Sequence, residues 1–329
     1  MNGHKNINYK TDRLRHCILL ACLTLAAGSS PAEEIEKIPF GDMDSWITRN
    51  ITESRLLGGQ CKTVYAIGPE RTIDGARAYI PDDGNPWASS NVMANVCGII
   101  KTSNAVNPGT RDGGKCAVMS TKMEHCQVIG LVNINVLVSG SIFLGRMFEP
   151  IKSPSNPYSK MEMGVPFTKR PEYLQFDYKL YNPGTGIVTT ATGSRTRTRP
   201  GHDKAEVFVI LQQRWEDADG NLYARRVATG RERYERSTDT WVNRHRIKIR
   251  YGDISGEPDY QPYMGLIPEE KSYYARNSKG KMVPVHETDW AAADTTPTHI
   301  LIMASSGCGN AYTGTVGMQF SIDNIALIY

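Results

Sequence analysis

Short stretches in which apolar and polar residues alternate recur along this chain, and they constrain its fold more than any other feature. In the stretch 174–181, one side carries only large apolar residues, namely Leu174, Phe176, Tyr178 and Leu180. Successive side chains of a β-strand point to opposite faces, so a period of two is typical of a strand with one buried face. The pattern predicts an all-β protein.

Two further segments indicate how the strands are arranged. Val207–Leu211 is apolar on both sides, which favours a central strand that is covered on both faces. Asp217–Asn221 supplies turn residues between two strand-like segments and therefore predicts a hairpin. Strands at this density, separated by Gly, Pro, Asn and Asp, predict one antiparallel β-sandwich of the jelly-roll type over residues 36–329.

The composition argues against several classes of protein. A hydrophobic fraction of 40% and a charged fraction of 22% are ordinary for a globular protein, which excludes extensive disorder and a chain of many membrane spans. The formal net charge of +4 is small, and acidic residues match the basic ones along most of the chain. We therefore expect no nucleic-acid partner.

The first residues have the pattern of an export signal. Basic residues up to Arg15 precede the apolar run 17–27 and the small residues 28–32, as in a secretory signal peptide. We predict a signal peptide over residues 1–28, with cleavage within 22–32, and a mature protein that works outside the cytoplasm, in the periplasm or at the cell surface. Leu19–Cys22 also resembles a bacterial lipobox, which predicts the alternative of a lipid anchor at Cys22 in the outer membrane.

Common catalytic signatures are absent from the sequence. It contains no His-Glu-x-x-His pair, no Gly-x-Ser-x-Gly elbow and no glycine-rich phosphate loop. Carboxylates are plentiful, so an acid/base pair of the glycosidase type stays open as an alternative, but no residue can be assigned to it. The sequence therefore identifies no catalytic residue and favours a non-catalytic role.

Tryptophan residues are the first candidates for ligand contact. An indole face stacks on the apolar C–H face of a sugar ring, while nearby polar side chains bind the hydroxyl groups. Trp87 and Asn91 fall in the predicted loop 84–91, and Trp215 and Trp241 lie beside predicted strands. These four residues are predicted to bind a ligand, and the alternative for each Trp is a place in the core.

Three arginines at alternate positions allow two interpretations. Arg195, Arg197 and Arg199 would line up on one face of an extended segment, where guanidinium groups could bind acidic sugars such as uronates or sulfated glycans. Alternatively, they lie on a solvated sheet edge, where charges discourage the addition of another strand. The sequence alone favours the second interpretation.

The C-terminal part of the chain resembles a known family. A Pro before an apolar strand, a Ser-Ser pair, spaced glycines with an aromatic residue and an Asp in a last strand are supplied by Pro297, Ser305, Ser306, Gly309, Tyr312, Gly314, Gly317 and Asp323. With Trp87–Asn91 and Gly164–Phe167 upstream, this pattern is similar to the putative carbohydrate metabolism domain family of secreted gut bacterial proteins, over about residues 87–329. The resemblance implies a glycan context and a jelly roll like that of galactose-binding and carbohydrate-binding modules, and it implies no particular reaction.

The likeness to carbohydrate-binding modules also implies one structural calcium ion. In many of those modules the first and last strands lie together and share a calcium ion that carboxylates hold. Phe40–Trp46 resembles such a first strand, so Asp42 or Asp44 would hold the ion together with Asp323, since hard oxygen ligands suit calcium. The alternative is that Asp323 only hydrogen bonds to a neighbouring loop.

These features together predict a secreted, non-catalytic glycan-binding protein of a bacterial carbohydrate-utilisation system. A glycan-active hydrolase or lyase is one alternative, and a cell-surface structural or adhesin-like subunit is another. The sequence leaves open which glycan is bound, which cysteines pair and what the oligomeric state is.

Overall fold

A computed structural model describes residue 1 and residues 33–81, 84–128, 132–152, 156–193 and 195–329. The chain divides into a unit Met1–Glu33 and a compact unit Glu34–Tyr329. Apart from Met1, the predicted signal peptide lies outside the described residues, as does Cys22, so the signal peptide and the lipid anchor stay predictions. Among the described residues, no helix is long and apolar enough to cross a membrane.

Strands dominate the compact unit, and the helical turns are short. The 3-10 turns are Arg55–Leu57, Pro157–Lys160, Pro262–Met264 and Glu269–Lys271. The strands in chain order are β1 (Ile35–Lys37), β2 (Trp46–Thr52), β3 (Cys61–Ile67), β4 (Arg71–Asp74), β5 (Trp87–Ser89), β6 (Val92–Val96), β7 (Ile99–Ser103), β8 (Val106–Arg111), β9 (Gly114–Val128), β10 (Val132–Ser139), β11 (Ser141–Met147), β12 (Met161–Met163), β13 (Val165–Pro166), β14 (Tyr173–Tyr181), β15 (Ile187–Gly193), β16 (Thr196–Pro200), β17 (Ala205–Glu216), β18 (Leu222–Tyr234), β19 (Val242–Lys248), β20 (Arg250–Tyr251), β21 (Tyr274–Arg276), β22 (Met282–Trp290), β23 (His299–Ser305), β24 (Thr313–Gly314) and β25 (Gln319–Ile328).

Two large sheets form the body of the fold. The first has the order β16-β15-β10-β9-β25-β14-β19, with β1 on β25, β8 on β9 and β24 on β15. The second has the order β13-β23-β17-β18-β22-β21-β12-β11-β5, with β20 on β18 and a further pairing between β11 and β23. A three-stranded sheet (β3-β2-β4) and the hairpin β6-β7 complete the described part of the chain. The predicted all-β sandwich is confirmed.

The main core brings together apolar side chains of both sheets. Strand β14 of the first sheet contributes Leu174 and Phe176, and strand β17 of the second sheet contributes Val207 and Val209. All four side chains are fully buried. The alternation of the sequence therefore marks the faces that pack together, because each strand turns every second residue towards the other sheet.

The prediction for Val207–Leu211 is confirmed. Strand β17 lies between β23 and β18, and its face opposite the main core carries Phe208 and Ile210, which belong to a second buried cluster. The hairpin at Asp217–Asn221 is also confirmed, since it joins β17 to β18. Its Asp217 carboxylate accepts hydrogen bonds from the backbone N–H groups of Asp219 and Asn221, at 3.0 and 2.8 Å.

Strand β14 departs from strict alternation at Asp177. The alternation predicts that this residue faces outward, but Asp177 is buried. The pairing of β14 with β25 shifts by one residue between Gln175 and Asp177, after which Asp177 lies opposite Asp323. A β-bulge of this kind re-aims a side chain, and here it turns a carboxylate towards the neighbouring Arg111.

A buried ion pair fixes the loops that cover the second sheet. The Arg226 and Glu287 side chains are both fully buried, and Arg226 Nε lies 2.8 Å from Glu287 Oε1. Gln212 Nε2 and the backbone N–H of Ile267 donate to the same carboxylate. Burial alone would raise the pKa of Glu287, but the Arg226 charge and these hydrogen bonds lower it overall. The carboxylate therefore stays ionised inside the fold.

Removing one partner of this pair should be costly. We expect Arg226→Ala to lower the free energy of unfolding by about 3–5 kcal/mol, because it removes the cation that the buried Glu287 carboxylate contacts. The adjacent Arg225 is the matched control, since it and its partner Asp289 are each 53% exposed, and Arg225→Ala should cost less than about 1 kcal/mol. Urea unfolding of the two variants measures both values, and equal costs would contradict the assignment.

Candidate functional site

Two of the predicted ligand-binding residues lie inside the protein. Trp87 is 1% exposed because it belongs to β5, which pairs with β11, and its indole Nε1 donates to the Pro39 carbonyl at 2.9 Å. Asn91 is also buried, and its Nδ2 donates to the carbonyl of Val106 at 2.6 Å. The prediction of an exposed loop at Trp87 is wrong, and neither side chain faces solvent in this structure.

The other two predicted residues lie on different sheets. Trp215, in β17 of the second sheet, is 41% exposed, and its ring stacks on Tyr223 with the centroids 5.7 Å apart. Trp241 precedes β19 of the first sheet and is half-buried beneath the Arg111 guanidinium, 4.2 Å from the ring centre. The four predicted residues therefore do not form one site.

The three predicted metal ligands do converge. Asp42, Asp44 and Asp323 all line one cleft of about 210 Å³. They meet because the turn that carries the first two is attached to β25, where the Ile325 N–H donates to the Gly41 carbonyl at 2.8 Å. The cleft is strongly polar, because charged residues on several strands line it.

The Arg111 side chain, which also lines this cleft, binds two carboxylates. Its Nη1 lies 2.8 Å from an Asp323 oxygen and 2.9 Å from an Asp177 oxygen. Its Nη2 donates to Asn243 at 2.7 Å, and its side chain is only 8% exposed. We call Arg111, Asp177 and Asp323 the arginine clasp, which links β8, β14 and β25.

The donor set does not fit calcium as it stands. Asp323 already bonds to the Arg111 cation, and Asp44 Oδ1 accepts from the backbone N–H of Lys115 at 2.6 Å. A divalent ion would have to displace that guanidinium from its carboxylate, because like charges repel strongly at short range. The described residues also contain no group of three or more His, Cys, Asp or Glu that could hold a metal ion. The calcium ion remains a prediction that these contacts do not favour.

One carboxyl group of the clasp, that of Asp323, has a raised pKa. Burial raises the pKa of Asp323 to about 6, even though the Asn324 N–H and the Arg111 charge act in the opposite direction. The Asp177 charge contributes to the increase, because two carboxylates share one guanidinium. Asp323 therefore takes up a proton at a higher pH than an ordinary aspartate does.

A second group of polar and aromatic side chains lies on the second sheet, on the face that points away from the main core. The sequence predicted no site there. Glu206 of β17 is 2% exposed and binds two arginines of β18. Arg231 Nη2 lies 2.9 Å and Arg233 Nε lies 2.6 Å from its carboxylate oxygens. Within the described part of the chain, the terminal nitrogens of Arg233 have no hydrogen-bond partner, and its side chain is 24% exposed. Arg233 therefore keeps free donors although its Nε is bound to Glu206.

Four half-buried tyrosines from three loops surround these charges. Tyr273 stacks on Phe208 of β17, with ring centroids 5.8 Å apart, and Tyr263 lies beneath the Arg233 guanidinium at 4.3 Å. Tyr158 lies near both Tyr312 and Tyr273. Burial raises the pKa of all four hydroxyl groups, so they stay protonated. We call this group the tyrosine–arginine cluster: Glu206, Arg231, Arg233, Tyr158, Tyr263, Tyr273 and Tyr312.

The loop 305–314 is held against this cluster by Asp203. The buried Asp203 carboxylate accepts a hydrogen bond from the backbone N–H of Cys308 at 3.3 Å, and Cys308 interacts with the charges of both Asp203 and Arg233. A Cβ added to Gly314 would lie 3.0 Å from the other Asp203 oxygen, which is closer than most Cβ contacts. Glycine at position 314 therefore allows the loop to approach, and the loop then places Tyr312 in the cluster.

The sequence contains one signal for this cluster. Glu206 is a charged residue directly before the buried run Val207–Leu211, and a carboxylate in such a place needs partners. Its partners Arg231 and Arg233 are 25 and 27 residues away, and the tyrosines come from three further loops. Side chains from so many separate segments can be assigned to one site only once the strand pairing is known.

Comparison with known proteins identifies the family of the chain. The family model described as putative carbohydrate metabolism domain matches residues 70–328. The chain belongs to this family. The match includes loop 305–314 and Asp323, and it begins before Trp87, where the resemblance in the sequence begins. No curated protein matches the chain.

Two solved structures are similar to this member of the family. One is a putative glycoside hydrolase from Bacteroides thetaiotaomicron VPI-5482, with 18% identity over 86% of this chain and 70% of that chain, and a TM-score of 0.45. The other is a putative glycoside hydrolase from Bacteroides vulgatus ATCC 8482, with 14% identity over 68% of this chain and 76% of that chain, and a TM-score of 0.40. Similarity at this level supports no conclusion about activity.

The arginine clasp can be tested against the predicted calcium ion. We expect Arg111→Gln to lower the free energy of unfolding by about 3 kcal/mol, because two largely buried carboxylates lose their cation. Lys115→Gln is the control, because Lys115 and its partner Glu70 are 42% and 65% exposed and such pairs contribute less than about 1 kcal/mol. A chelator should leave the melting temperature of the unmodified protein unchanged. A chelator-dependent decrease that Asp323→Ala abolishes would instead establish the calcium ion.

Proposed function

We propose that this carbohydrate-related domain binds a glycan at the tyrosine–arginine cluster and does not transform it. The observation that carries the proposal is the position of the unsatisfied Arg233 nitrogens beside half-buried tyrosines, under a loop that contains the motif residues of the family. Aromatic faces stack on the C–H faces of sugar rings, and guanidinium and phenol groups bind the hydroxyl groups. The cluster supplies both kinds of contact in one place.

The contacts of Glu206 support a binding role. Its two oxygens accept from Arg231 Nε and Nη2 and from Arg233 Nε. A carboxylate held in this way positions the two arginines, and its lone pairs are directed away from a ligand. A general acid needs a carboxyl group that reaches the glycosidic oxygen, and Glu206 is 2% exposed.

The proposal also includes the cellular location of the protein. We infer that the mature protein works outside the cytoplasm, in the periplasm or at the cell surface, with the lipid anchor at Cys22 as one means of attachment to the outer membrane. Support comes from the basic, apolar and small-residue order of the first 32 residues. Glycans that a bacterium has not yet imported are found in those places.

A glycan array followed by calorimetry tests the binding role. We expect the full chain to bind at least one glycan, and Arg233→Gln and Tyr263→Ala each to weaken that binding about tenfold, which corresponds to about 1.4 kcal/mol. Trp215→Ala is the matched control, because it removes an exposed aromatic residue outside the cluster and should leave the affinity unchanged. Loss of binding in Trp215→Ala alone would move the site to that surface, and absence of any glycan binding would refute the proposal.

One observation favours a hydrolase as a second candidate. Asp323, with a pKa raised to about 6, lines a cleft with Asp42 and Asp44, and glycosidases use a carboxyl group with a raised pKa as general acid. If the chain were a hydrolase at this cleft, it would release reducing ends from the bound glycan and Asp323→Asn would abolish that release. We expect no release from the unmodified protein, since Arg111 holds the Asp323 carboxylate.

A further inference from the structure

An edge strand of the first sheet presents unpaired positive charge. Strand β16 pairs with β15 on one side only, and all five of its residues are exposed. Arg197 and Arg199 lie opposite Thr190 and Val188 of β15, and the carbonyl of Arg195 accepts a hydrogen bond from the Thr192 N–H. We call Arg195, Arg197 and Arg199 the arginine strip, in which alternate residues are about 6.6 Å apart along the strand.

The arginine strip has no acidic partner among the described residues. Several arginines elsewhere in the chain are paired, as in Arg49 with Glu149, Arg111 with Asp177 and Arg276 with Glu162. A single charge would be enough to discourage strand addition at an edge. Three guanidinium groups without counter-charges create a local positive potential that attracts anions.

The strip lies close to the loop of the tyrosine–arginine cluster. Strand β15 pairs with β16 on one side and with β24 on the other, so Thr190 is the partner of both Arg197 and Thr313. The hydroxyl oxygens of Thr190 and Thr313 are 2.9 Å apart, so these two side chains share a face. Two strand spacings place Arg197 about 10 Å from Thr313, and the residue before Thr313 is Tyr312 of the cluster.

We propose that the arginine strip extends the glycan site and selects an anionic polysaccharide, whose carboxylate or sulfate groups bind the guanidinium groups while a neighbouring sugar occupies the cluster. This inference rests on the proposed function, because it assigns the ligand class of the same site. Arginine suits the role, since its planar donors bind carboxylate and sulfate in a bidentate manner. The free donors of Arg233 in the cluster suit the same anionic groups, so both parts of the site favour the same ligand.

The experiment compares charged and neutral polysaccharides on the full chain. The probes are polygalacturonate for carboxylate groups, heparin for sulfate groups, hydroxyethyl cellulose as a neutral glycan and double-stranded DNA as an unrelated polyanion. We expect one of the two anionic glycans to bind more tightly than hydroxyethyl cellulose and DNA. The binding constant should decrease between about 50 and 200 mM NaCl, because binding releases counterions.

A triple variant tests whether the strip is responsible. Replacing Arg195, Arg197 and Arg199 by Gln should weaken binding of the anionic glycan about tenfold or more at low salt and reduce the dependence on salt. The charge-matched control replaces three exposed cations on other elements, Arg55, Lys152 and Lys179, by Gln. It should retain both the affinity and the salt dependence of the unmodified protein.

The outcomes separate this inference from the proposed function. Binding of neutral glycans only would leave the proposed function standing and overturn the inference, whereas no glycan binding at all would overturn both. Equal losses in the two triple variants, or no loss in either, would show that the strip is not the site. DNA binding as tight as glycan binding would show general attraction of polyanions and would likewise overturn the selection of a polysaccharide.

Discussion

The pairing of β25 in the middle of the first sheet is the constraint on which the rest of the structure depends. This strand pairs with β14 on one side and β9 on the other, and β1 adds to its far end. Ile35 pairs with Ile328, so residues from opposite ends of the compact unit are neighbours. The face of β25 that packs into the main core, including Ile322 and Ile325, links this sheet to the second one.

That central position explains why polar residues on β25 need dedicated partners. Asp323 interrupts an apolar strand, and a carboxylate among apolar neighbours is costly unless a cation or several donors satisfy it. A bulge in β14 brings Asp177 beside it, and Arg111 of β8 binds both carboxylates. One cation thus joins three strands of the sheet.

The sequence predicts the parts of the fold that depend on local pattern. The alternation around Leu174 and the doubly apolar run after Glu206 identify strands and their buried faces, because the period of two is a property of the strand itself. The alternating pattern does not show that β5 places Trp87 against the Pro39 carbonyl, since that contact depends on a partner 48 residues away. It also cannot place the bulge at Asp177, because a bulge is a property of two paired strands.

The motif of the family is likewise a local pattern, whereas the ligand contacts of the candidate site depend on which strands are paired. Gly314 allows close approach to the Asp203 carboxylate, and the Ser306 hydroxyl lies 2.9 Å from that of Thr121, so these motif residues hold the loop in place. Of the motif residues, Tyr312 is the one that reaches the cluster. Arg233 and the arginine strip lie outside the motif, on strands of ordinary pattern. The motif residues therefore fix the position of the loop, and the arginines of the candidate site come from strands outside the motif.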